Sequence, residues 1–155
     1  MAITNKKKKR DFSHFITVLL GCIVLIQCNF LLTVLYIIIS VTGLMWFLGT
    51  ICPHCAAYGT PHCKSGYGKL SATLFKRPKE TNFRRAFRRN IISVTFQWFI
   101  PFFAGLYCLY LSYTPLLLST FIVFILVAFI WLPLNSKRKG CKNCPQKKEC
   151  GWAPR

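Results

Sequence analysis

Acidic residues are almost missing from this 155-residue chain: Asp11, Glu80 and Glu149 stand against 21 Lys and Arg. Charge of either sign is missing altogether from Phe12 to Cys63 and from Asn90 to Ser136, apart from neutral histidine. Uncharged runs of that length exclude an ordinary water-soluble domain and are read as membrane-spanning. They also leave a proton relay or ion-coupled pathway without its usual carriers, which are ionisable side chains inside the spans. No histidine pair lies within the spans, so ligation of a membrane haem is not supported. The apolar sequence behind Lys6–Arg10 ends in no small-residue cleavage site, so a cleaved signal peptide is not expected. Ser65-Gly66-Tyr67-Gly68-Lys69 lacks both the four-residue spacer and the hydroxyl residue of a phosphate loop.

What is present divides cleanly. Hydrophobic residues make up 54% of the chain, and the cations fall in three blocks: Lys6 to Arg10, Lys64 to Arg89, and Lys137 to Arg155. Each uncharged run is about twice the roughly 20 residues that one crossing needs, so each is expected to fold back as a helical hairpin. Gln27-Cys28-Asn29 is the polar break in the first run, giving spans 12–27 and 30–50. Ser112-Tyr113-Thr114-Pro115 is the break in the second, giving spans 91–111 and 115–134, with Pro115 suited to the first helical position. An even number of crossings puts all three cationic blocks on one side, which the positive-inside rule makes cytoplasmic. Trp46 and Trp131 then lie at matching ends of their spans, as interfacial anchors do.

The expected organisation is a basic tail (1–11), a transmembrane hairpin (12–50), a Cys-rich basic loop (51–89), a second hairpin (90–134) and a Cys-rich basic tail (135–155). Within the loop, Leu70 to Lys76 is predicted as a short surface helix with Leu70, Leu74 and Phe75 toward lipid, stopped by Pro78. Phe83 and Phe87 share one helical face and are expected to extend the third span into the headgroup layer. Gln27, Asn29 and Gln97 are expected to hydrogen-bond across helices. Pro101 interrupts the third span among Trp98, Phe102 and Phe103, where aromatic packing is expected. His14 has no partner evident from the sequence.

Nine cysteines fall into two groups. Cys22, Cys28 and Cys108 lie in or beside the spans and read as small packing residues. The other six form two triplets, Cys52-x-x-Cys55 with Cys63 and Cys141-x-x-Cys144 with Cys150. Both follow an apolar hairpin on the expected cytoplasmic side, where thiols stay reduced, so metal ligation is expected rather than disulfides. One zinc ion could take Cys52, Cys55, Cys141 and Cys144. Two could share all six thiolates, or His54 or His62 could complete a set with the first triplet. A single iron–sulfur cluster held between the triplets is the alternative cofactor. The spacing resembles the binuclear zinc cluster of fungal transcription factors, but departs from it in the residues between the cysteines and in the membrane hairpin dividing the halves. That resemblance implies a mode of metal binding and no DNA-binding function.

The resulting expectation is an all-α, polytopic integral membrane protein with four transmembrane helices as two hairpins. Both termini are cytoplasmic, and a small irregular Cys-rich metal cap clamps the central loop to the tail. A closed four-thiolate zinc has no open position and supports no hydrolysis, so a subunit, assembly factor or adaptor is expected rather than an enzyme. The alternative is an electron carrier passing electrons to quinone or a partner subunit. Expected partners are a bilayer with an anionic cytoplasmic leaflet and another membrane protein. Topology accounts for the formal charge of +18, so no nucleic acid is expected.

Overall fold

The computed structural model describes residues 13–60, 63, 66–80 and 82–135. The described residues are helical with no strand: α1 (Ser13–Ile26), α2 (Phe30–Thr50), α3 (Tyr67–Leu74), α4 (Phe83–Leu111), α5 (Pro115–Ile125) and α6 (Leu132–Asn135). Between α5 and α6, Leu126–Trp131 winds as a π-helix, so Pro115–Asn135 runs as one apolar rod. Three rods are long and apolar enough to cross a membrane: Phe30–His54, Phe83–Leu111 and Pro115–Asn135. The apolar helix His14–Ile26 is shorter.

The breaks fall where the polar residues are. After α1, Cys28 and Asn29 close a turn onto the Leu25 carbonyl, and the Asn29 side chain accepts the Leu31 N–H to cap α2. Among the described residues the Asn29 side chain makes this local bond and none to another helix. Gln27 does bond across helices, donating Nε2 to Thr120 Oγ1 of α5 at 3.0 Å. Thr114 caps α5, and Pro115 takes the first helical position. Near the end of the last rod, Pro133 has no N–H and its ring would crowd the carbonyl four residues back. The wider π turn just before it is a usual accommodation, with the Leu132 N–H reaching the Val127 carbonyl.

The core is built where glycines admit rings. Val24, Leu117, Phe121, Phe124 and Ala128 are buried together, with Phe102 and Phe129 packed against them. A methyl group at Gly105 would lie 2.7 Å from the Phe121 ring and 3.0 Å from Val24, so α1, α4 and α5 meet there. Gly21 does the same for α1, α2 and α4, facing the Tyr36 hydroxyl and the Pro101 ring. Small residues at crossings let helices pack closely when lipid supplies no hydrophobic drive between them. Outside the core, Phe15, Phe30, Leu31, Phe96, Tyr107 and Leu116 are all more than 60% exposed. Such a belt suits contact with hydrocarbon rather than water.

Two ends of the bundle are distinct. At one end lie the two tight turns, the Gln27–Thr120 bond, and a disulfide between Cys28 and Cys108 whose Cα atoms are 5.8 Å apart. Cys28 and Cys108 pack against the core, as their place in the sequence suggests, and are in addition joined to each other. Cys28 sits in the turn after α1 and Cys108 in the last turn of α4, and the α1–α4 contact brings them face to face. Cys22 is not part of it. At the other end lie the start of α1, the Cys-rich loop, α3 and the arginine-bearing start of α4. His14 meets Gln97 there, Nε2 to Nε2 at 2.7 Å, which supplies the partner not evident from sequence.

Candidate functional site

The Cys-rich loop begins as α2 runs out. The Ile51 N–H closes on the Phe47 carbonyl, and Cys52–His54 then winds a single 3₁₀ turn with Pro53 inside it. Tight turns follow from Cys52 to Cys55 and from Cys55 to Tyr58. The chain then doubles back, and the Gly59 N–H donates to the Gly68 carbonyl at 3.0 Å. Gly68 permits this approach: a Cβ there would lie 2.4 Å from the Ala57 carbonyl oxygen and 3.1 Å from Cys63 Cβ. Gly66, at φ +77°, turns the chain into α3.

The surface helix α3 starts and ends a little earlier than the sequence pattern indicates. It presents Leu70 and Leu74 outward and keeps Lys69, Lys76 and Arg77 exposed nearby. Phe75 is turned the other way, its ring against Gly49 of α2. Ser71 is fully buried and donates Oγ to the Leu48 carbonyl at 2.7 Å. That carbonyl is in the last turn of α2, where no helical N–H follows to take it. The Tyr58 hydroxyl donates to the Phe75 carbonyl, and Arg77 lies 5.8 Å over the Tyr58 ring. The loop is thus pinned to the end of α3, and α3 in turn to the end of α2.

Cys52, Cys55 and Cys63 are gathered in this one loop as thiols, not disulfides. Cys52 is buried, the other two are half-buried, and both lie near enough to act on Cys52 electrostatically. They do not converge: among the described residues, no three His, Cys, Asp or Glu side chains stand together as a metal-holding group. Cys141, Cys144, Cys150 and His62 lie outside the described residues. His54 is engaged elsewhere, its Nδ1 accepting the Asn82 N–H at 3.3 Å beside the start of α4.

Next to the loop is a cavity of about 500 Å³ between the end of α2 and the start of α4. Arg85, Arg89, His54, Trp46 and Asn90 line it, with Glu80 and Asn82 also on its wall. Asn82 accepts the Arg85 N–H and fixes where α4 begins, and the Trp46 indole donates to Asn90 Oδ1 at 3.2 Å. Arg84 and Arg88 have the same four-residue spacing as Arg85 and Arg89, so only the packing of α4 against α2 decides which pair lines the cavity.

Fold and site together define an all-helical protein with three potential membrane-crossing helices and a thiol-bearing loop at one end. Compared with known families, curated proteins and solved structures, the chain matches none.

Proposed function

We propose that the chain is a four-span integral membrane protein whose two Cys triplets together hold a structural metal, with zinc as the first candidate. It would act as a subunit, assembly factor or adaptor rather than as a catalyst. The observation that carries this reading is the division of the cysteines. Three thiols are collected at the cation-rich end, while the cysteine pair at the opposite end is a disulfide. Disulfides persist in oxidising compartments and thiols in reducing ones. The division agrees with the positive-inside orientation reached from charge alone, with α1 as the fourth crossing and both termini cytoplasmic.

Three thiols do not complete a tetrahedral site. The tail triplet Cys141, Cys144 and Cys150 would supply the remaining ligands and draw the loop thiols onto a common ion. His54 fits this set poorly while its Nδ1 accepts the Asn82 N–H, because the proton then sits on Nε2. A closed thiolate site would tie the tail to the loop and hold the ends of α2 and the last rod together. Lys139, Lys142, Lys147 and Lys148 would offset the excess negative charge of the thiolates.

The test is elemental analysis of the full chain purified anaerobically in detergent. We expect one or two zinc ions per chain and no colour, with the metal lost in a Cys52→Ser, Cys55→Ser variant. Iron and sulfide in a brown protein would replace zinc by the electron-transfer alternative. Absence of any bound metal would remove both.

A further inference from the structure

The cavity between α2 and α4 has a built polar lining that metal binding does not use. Arg85 and Arg89 reach it from successive turns of α4, and Trp46 and Asn90 meet by a hydrogen bond on its wall. His54 faces it with Nδ1 already accepting from Asn82, so Nε2 carries the proton and is a donor. Glu80, one of three acidic residues in the chain, also borders it. Two guanidinium groups against one carboxylate leave the lining with one net positive charge, matched to a single phosphodiester. Guanidinium forks suit phosphate oxygens, and tryptophan belongs to the headgroup layer of a bilayer.

We infer that this cavity is a binding site for the phosphate of a lipid headgroup, held by Arg85 and Arg89 with His54 as a further donor. It is a defined site rather than part of a diffuse positive surface, because Arg84 and Arg88 carry the same charge in the same two turns and do not line it. The inference rests on the reading that this end of the bundle lies at a membrane face.

The full chain, reconstituted in nanodiscs of phosphatidylcholine with a minor fraction of phosphatidylglycerol, is released and weighed by native mass spectrometry. One phosphatidylglycerol is expected to stay with each wild-type chain. Arg85→Gln with Arg89→Gln is expected to weaken that retention about a hundred-fold, the loss of two charge-assisted hydrogen bonds to phosphate. Arg84→Gln with Arg88→Gln removes equal charge and is expected to retain the lipid as wild type does. Equal loss in both pairs would overturn the site and leave only diffuse attraction. Retention of inorganic phosphate in place of lipid would assign the same chemistry to a soluble anion and overturn the lipid source. Failure of the membrane reading would show separately, as a chain that does not enter nanodiscs at all.

Discussion

Ser71 ties α3, and with it the thiol-bearing loop, to the end of α2. It is fully buried, and its hydroxyl satisfies a carbonyl that α2 leaves open at its end. Ser71→Ala removes the donor but leaves the Leu48 carbonyl buried, which costs about 1–3 kcal/mol. We expect α3 to loosen first, seen as faster hydrogen exchange in residues 52–60 and 67–74 with little change in α5. Nothing in the sequence singles out Ser71, since a serine beside Leu70 reads as a polar position of an exposed helix. His14 and Gln97 were equally opaque as a pair. Polar side chains within apolar runs announce that a partner is needed, but 83 residues of separation conceal which one.

The elements themselves were far more legible. Breaks at residues 27–29 and 112–114 were readable because capping residues and proline interrupt otherwise uncharged sequence, and α2 begins and α4 ends where those rules place them. Asn82 likewise announces the start of α4, so the arginine segment joins the third rod as the Phe83–Phe87 spacing indicates. The π segment was not readable, because Pro133 signals a disturbance without saying which of several backbone adjustments absorbs it. Crossing geometry was hidden too. Gly105 gives no hint in sequence that it faces Phe121, yet a methyl group there would press to 2.7 Å from the ring. Gly105→Ala should therefore cost about 1–3 kcal/mol by overpacking. Thermal unfolding in detergent should show it. Gly66→Ala would act differently, through a left-handed backbone with nothing within 4 Å of the new methyl.

For the molecule as a whole, hydropathy gives helices apolar enough to cross a membrane, and the disulfide adds what hydropathy does not contain. Cysteine spacing signals metal sites through short motifs, whereas a bridge between helices 80 residues apart has no local signature. Under the proposed topology, which puts the turn-bearing end in an oxidising compartment, we expect Cys28 and Cys108 to resist alkylation until reductant is added, as read by mass shift on intact protein. Cys108→Ser should lower stability by about 2–4 kcal/mol. Loss of the bridge leaves Cys52, Cys55 and Cys63 at the opposite end, so metal content should survive the change. A loss of metal in that variant would mean that the two ends are not independent.

The bridge also changes what a break in the chain would mean. Residues 28 to 108 form a closed covalent ring that contains α2, the Cys-rich loop, α3 and most of α4. A protease that nicks the loop would leave both fragments tethered through sulfur. Under the proposed topology only a reductant reaching the turn-bearing end would then let them part, so damage at one membrane face would be held in check from the other.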